Sequence, residues 1–134
     1  SCSYHFPKKD LLKIKKIFKR LKIGIAINPD GIKAQVEGSL LWGLSSALYE
    51  KMTVENGRIV ERNFNSYNWQ NVTKIPELDI HIVENGIYPS GVGEPATVVV
   101  APAIGNAIFN ATGIRLRSIP FSREELFEEL DKKT

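Results

Sequence analysis

The chain has 134 residues, 43% hydrophobic and 25% charged, which suits one globular domain with a buried core. Its net charge of +3 is the balance of +6 over residues 1–20 and −3 over the rest, a basic segment rather than a basic folded face, so nucleic acid is not the expected partner. No apolar run approaches the roughly 20 residues of a membrane span, the basic start lacks the apolar core of a signal peptide, and one cysteine (Cys2) with two histidines (His5, His81) excludes an internal disulfide and most protein-held metal centres.

Residues 8–21 predict a short amphipathic helix. Asp10 can cap it, and Leu11, Ile14, Phe18 and Leu21 recur at helical spacing with lysines between them. Residues 22–27 are short, apolar and rich in isoleucine, as in a buried strand. Asn28-Pro29-Asp30-Gly31 signals a turn. A long helix is expected over 32–50, with an apolar stripe of Ile32, Val36, Leu40, Gly43, Leu44, Ala47 and Leu48. Gly38 and Gly43 each cost such a helix roughly 1 kcal/mol relative to Ala. Close packing against another backbone or a ligand is the expected return. Gln35 and Ser39 stand one turn apart and can face the same neighbour.

Asn56-Gly57, between β-prone runs, predicts a hairpin over 52–62. Residues 63–76, with Phe64, Tyr67, Trp69 and Pro76, read as an irregular excursion, and 78–83 as a strand with one wet face. Then comes Pro89-Ser90-Gly91-Val92-Gly93-Glu94-Pro95. The glycines permit unusual backbone angles or close approach to a ligand, and Pro95 keeps Glu94 extended. A carboxylate on such a loop suits acid–base work on a bound ligand, and an ordinary surface turn with a solvated Glu is the plainer reading. Pro102 is expected in the first turn of the next helix, or at a kink in one begun at Pro95. Gly113 is its expected stop. Residues 114–119 predict a strand, and Ser122 with Glu125 a capping box opening a last helix over Leu126, Phe127 and Leu130. The order of elements gives an α+β fold, a mixed β-sheet with helices packed mainly on one face.

No phosphate-binding loop, dinucleotide fingerprint, nucleophile elbow or zinc-protease motif is present. Three segments instead resemble one family. Ala26-Ile27-Asn28-Pro29-Asp30-Gly31-Ile32-Lys33-Ala34-Gln35-Val36-Glu37-Gly38 resembles the NP…Q-[IV]-E-G helix start near the C-terminus of the molybdopterin-binding large subunit of the xanthine oxidase and aldehyde oxidoreductase family. Gly91-Val92-Gly93-Glu94-Pro95 resembles that family's G-[VM]-G-E-P loop, and 102–113 the helix after it. Gly43-Leu44-Ser45-Ser46-Ala47-Leu48-Tyr49 is most similar to isoquinoline 1-oxidoreductase β-subunits and related aldehyde dehydrogenases.

The resemblance implies hydroxylation of an aldehyde or N-heterocycle by a water-derived oxygen at a molybdenum–pterin centre. Glu94 would be the base, and Gln35, Gly91, Val92 and Gly93 cofactor contacts, with no side chain of this chain binding the metal directly. It divides the chain into a basic arm or helix over 1–22 and the C-terminal part of a molybdopterin-binding domain over 23–134. The implied partners are the remainder of the large subunit or an iron–sulfur subunit. Family large subunits are several hundred residues long and draw most pterin contacts from upstream segments. The isolated chain is therefore expected to lack the molybdenum–pterin cofactor and turnover. The alternative is a non-catalytic assembly module, forming a homo-oligomer through apolar area exposed on the 32–50 stripe and on the helix after Pro95.

Overall fold

A computed structural model describes residues 2–4, 13–70, 75–86 and 88–133. Its elements are β1 (Cys2–Tyr4), β2 (Lys16–Ile23), α1 (Pro29–Leu48), β3 (Val54–Glu55), β4 (Arg58–Ile59), β5 (Glu77–Glu84), α2 (Val100–Thr112) and α3 (Arg123–Asp131). The main sheet has the order β1-β2-β5, with β1 antiparallel and β5 parallel to β2. This is the expected mixed sheet of an α+β fold, with α1 against β5 and α2 against β1.

The first correction falls on β2. The helix expected over 8–21 is absent from its described part, because 16–21 belong to the central strand; residues 8–12 lie outside the described residues. Ile17, Lys19, Leu21 and Ile23 alternate inward, while Arg20 and Lys22 face water. A lysine can hide its stem and keep its charge wet, so Lys19 disguised a strand period as helical spacing. Pairing to β5 decides the outcome. Eight residues run in register from Lys16↔Glu77 to Ile23↔Glu84. Lys16 Nζ also bridges Glu77 at 2.8 Å and Asp79 at 3.2 Å, and these bonds hold its pKa above the ordinary 10.5. The strand expected over 22–27 in turn keeps only its first two residues in β2. Ile25 and Ile27 lie beyond it, exposed.

Asn28-Pro29-Asp30-Gly31 opens α1 instead of preceding it. The Asn28 side chain caps the helix by accepting the Gly31 N–H at 2.9 Å, and Pro29 occupies the first turn, where its missing N–H costs nothing. The predicted stripe is the core face of α1. Val36, Leu40 and Leu44 pack with Ile17, Val100, Ile104, Ile108 and Leu126. The predicted stripe of α1 and the buried face of α2 are thus spent on the core, not exposed as the assembly reading required, while Trp42 on α1 and Phe109 on α2 stay exposed. α2 starts at Val100 with Pro102 inside its first turn, and ends at Gly113 in the left-handed region (φ 72°), whose N–H donates to Phe109 O at 2.7 Å.

Residues 114–119 form no strand, which is a second correction. Ile114 and Leu116 alternate inward, but burial every second residue does not supply a ladder partner. After Pro120 the backbone meets α1 instead, the Phe121 N–H donating to Ala47 O at 2.8 Å. At α3, Ser122 Oγ accepts the Glu125 N–H, while the Glu125 carboxylate accepts from Ser118 Oγ, so only half of the capping box forms. The hairpin is as expected, Asn56 (φ 50°) and Gly57 (φ 73°) making the left-handed turn between β3 and β4. Among the described residues no helix is long and apolar enough to cross a membrane.

Candidate functional site

The loop 88–97 is seated on the core by two glycines. A Cβ on Gly24, just past β2, would stand 1.6 Å from Tyr88 O. A Cβ on Gly43, in mid-α1, would stand 2.9 Å from Thr97 O and 2.8 Å from Val100 Cγ2. The loop thus enters over the end of β2 and leaves over α1. Gly38 packs closely against no other backbone among the described residues, since a Cβ there would meet nothing within 4 Å.

Between these two anchors the loop is tied to α1 by hydrogen bonds. Gln35 Nε2 donates to Gly93 O at 3.3 Å, and Ser39 Oγ donates to the same oxygen at 2.6 Å. The Thr97 hydroxyl donates to Ser39 O at 3.2 Å, and the Thr97 N–H to Glu94 O at 3.0 Å. Gln35 and Ser39 therefore do share one neighbour, as their spacing predicts, and Gly43 continues the row one turn on.

An open cleft of about 410 Å³ lies beside this junction. Its walls are Ile25 and Ile27 after β2, the first turns of α1 through Gln35, and Pro89, Ser90, Val92 and Gly93 of the loop. Gln35, Val92 and Gly93 are thus brought to one place, and Gly91 sits within the loop between two wall residues. Glu94 is exposed, and among the described residues no hydrogen bond or ion pair holds its carboxylate. A slightly larger hollow, about 460 Å³ at the far end of α1, contains none of the expected site residues.

The donor set fits a pterin better than a metal held by the protein itself. The cleft offers an amide, a hydroxyl, backbone groups and the start of a 20-residue helix, which suit a polar heterocycle with anionic groups. Among the described residues there is no group of three His, Cys, Asp or Glu placed to hold a metal ion. Among the described residues a Cβ on Gly91 or Gly93 would meet nothing within 4 Å, so packing there does not account for glycine at either position, and the space above both is open to a ligand.

Two residues of the site were not singled out from sequence. Gly24 carried a usable signal, since a glycine at the end of an apolar strand marks close backbone approach. Thr97 carried none, being one hydroxyl in a run of Thr and Val.

The molybdopterin cofactor-binding domain family matches residues 11–76. A membrane-bound aldehyde dehydrogenase of Gluconacetobacter polyoxogenes, named for pyrroloquinoline quinone, is 52% identical over 97 residues, 72% of this chain and 12% of its own length. The isoquinoline 1-oxidoreductase β-subunit of Brevundimonas diminuta is 33% identical over 117 residues, 87% of this chain and 15% of its own. The molybdenum-binding subunit of xanthine dehydrogenase from Escherichia coli O157:H7 is 32% identical over 113 residues, 79% and 15%. The chain thus spans less than one sixth of these relatives' length. The fold recurs in quinoline 2-oxidoreductase of Pseudomonas putida 86, with a TM-score of 0.76 at 19% identity over 90% of this chain and 16% of that one. It recurs also in the carbon monoxide dehydrogenase of Oligotropha carboxidovorans, with a TM-score of 0.73 at 18% identity over 91% and 17%. Sequence and fold agree: this chain belongs to the xanthine oxidase family, within its molybdopterin-binding subunit.

Proposed function

We propose that this chain carries the general base of a molybdenum-dependent hydroxylase or dehydrogenase, and that the base is Glu94. When bound, the molybdenum–pterin cofactor supplies the redox chemistry that oxidises an aldehyde or N-heterocycle. The residues of this chain have simpler tasks. Glu94 accepts a proton at its carboxylate, a contribution of about 10²–10⁴ in rate for a well-placed base. Gln35 has one amide proton engaged by Gly93 O, which leaves its second N–H and its carbonyl for the pterin. Gly91, Val92 and Gly93 present backbone to the cofactor side. The remaining contacts come from the rest of a molybdenum-binding subunit, and electrons leave through an iron–sulfur partner.

One observation carries this reading. Gln35 and the loop bearing Glu94 lie 58 residues apart in sequence and meet at the rim of one cleft. The chain alone should hold no stoichiometric molybdenum and show no turnover. In the molybdenum-loaded subunit, Glu94→Gln should lower kcat at least about a hundredfold with molybdenum content unchanged. Full aldehyde oxidation by the 134 residues alone defeats the proposal. So does stoichiometric quinone without molybdenum in the active subunit, the outcome raised by the name of one relative.

A further inference from the structure

We propose that Ser39 is a positioning residue for Glu94, acting through the peptide that joins Gly93 to Glu94. The inference rests on Glu94 being the base, and its test separates the two.

A base on a glycine loop has a geometrical problem. Gly91 and Gly93 leave the backbone before Glu94 free to take many directions. The Glu94 carboxylate itself makes no bond among the described residues that would aim it. The restraint comes instead from the two peptide planes that flank its Cα. The first plane is fixed by the Gly93 carbonyl, which accepts from Ser39 Oγ at 2.6 Å and from Gln35 Nε2 at 3.3 Å. A trans peptide is planar, so turning this carbonyl onto α1 turns the Glu94 N–H away from α1. The second plane is fixed by the Glu94 carbonyl, which accepts the Thr97 N–H at 3.0 Å. Pro95 adds a steric restraint by disfavouring helical angles at Glu94. With both planes held, the direction of the Glu94 Cα–Cβ bond is set while its carboxylate stays in solvent.

The hydrogen bonds close into a ring. Ser39 Oγ reaches Gly93 O, the chain passes through Glu94 to Thr97, and the Thr97 hydroxyl returns to Ser39 O at 3.2 Å. Ser39 and Gln35 both donate to Gly93 O, but they are not equivalent. Ser39 is 6% exposed, so little water competes for its bond, and losing it leaves a buried contact unmade. Gln35 is exposed, and its bond is longer. Ser39 therefore holds the loop, and Gln35 is left available to a ligand.

The test has two arms. In the 134-residue chain, Ser39→Ala should speed amide exchange at Thr97 about fivefold, with the β2–β5 ladder unchanged and Gln35→Ala altering Thr97 less than about twofold. Should Ser39→Ala fail to fold, Thr97→Val cuts the same ring at its other link and should also speed Thr97 exchange. Unchanged exchange at Thr97, or an equal effect from Gln35→Ala, overturns the proposal whatever Glu94 does. In the molybdenum-loaded subunit, Ser39→Ala should lower kcat about tenfold with KM and molybdenum content retained, and should add nothing in a Glu94→Gln background. An additive effect there means that Ser39 acts by some route other than Glu94. Fast exchange at Thr97 with full turnover in Glu94→Gln would leave the ring standing and remove the base, and with it the positioning role.

Discussion

Residues 88–97 and residues 51–70 both run between long elements, the second with only the short β3–β4 hairpin, yet they dispose their groups in opposite ways. The first presses its backbone onto glycines at 24 and 43 and gives three of its carbonyls, those of Gly93, Glu94 and Thr97, to donors. The second stands off the core. Met52, Val54, Phe64 and Trp69 are each at least 60% exposed, and Phe64 and Trp69 are tilted together with ring centroids 6.2 Å apart. Within it the Thr53 N–H donates to Glu61 Oε2, and polar bonds join it to the C-terminal end of α1 and just beyond, the Tyr67 hydroxyl to Glu50 and the Gln70 N–H to Ser45 Oγ. The first of these holds the Glu61 carboxyl below its ordinary 4.5. A loop that aims a reacting group needs its backbone fixed, because small misplacements are costly in rate. An excursion rich in exposed apolar groups has the character of an interaction surface.

The contrast is broken most severely at Gly24. An added Cβ meets the carbonyl of Tyr88, which is backbone and cannot rotate away. Gly24→Ala should cost about 3 kcal/mol or more, read as a fall in the urea midpoint, and should displace the loop, read as lost protection at Thr97. A near-neutral Gly24→Ala would mean that the loop does not rest on β2.

A matched pair sharpens the same point on α1. Gly43→Ala gains roughly 1 kcal/mol of helix propensity but drives a methyl against Thr97 O and Val100, for a net loss of about 1–2 kcal/mol. Gly38→Ala gains the same propensity in open space and should raise stability by about 0.5–1 kcal/mol. Opposite signs from one substitution, five residues apart on one helix, would show that it is the seat of the loop and not helix propensity that requires glycine at 43.

Such contacts mark the limit of what the sequence disclosed. The Asn56-Gly57 turn, the α1 stripe and the Gly113 stop were legible because each is written in neighbouring residues. Gln35 with Ser39 was legible from helix spacing, while Gly91 to Glu94 were singled out by resemblance to the family loop. The strand β2 was not, because the inward lysine at 19 broke its alternation and its partner β5 lies about 60 residues away. Residues 114–119 misled for the converse reason, since they alternate without a strand to pair with. The seating of Tyr88 on Gly24 and the bond from Thr97 to Ser39 join segments far apart in the chain, and no local pattern encodes them.

The smallest expected effect on stability comes from the exposed excursion. Phe64 and Trp69 contact each other more than the core, so truncating either removes little buried area. Phe64→Ser and Trp69→Ser should each change stability by no more than about 0.5 kcal/mol, as surface substitutions do. Together they should reduce both the binding of a hydrophobic dye and any self-association seen by sedimentation. A loss of more than about 2 kcal/mol would mean that this stretch closes onto the core in solution, and the contrast with residues 88–97 would fall. Unchanged dye binding would place the adhesive surface elsewhere, among Ile27 and Tyr88 near the cleft, Val98 after the loop or Trp42 on α1, the most exposed apolar groups outside residues 51–70. Either result separates two properties that sequence alone runs together. Aromatic and β-branched side chains in an irregular stretch can serve the chain's own core, or they can be held out for another surface, and only their exposure tells which.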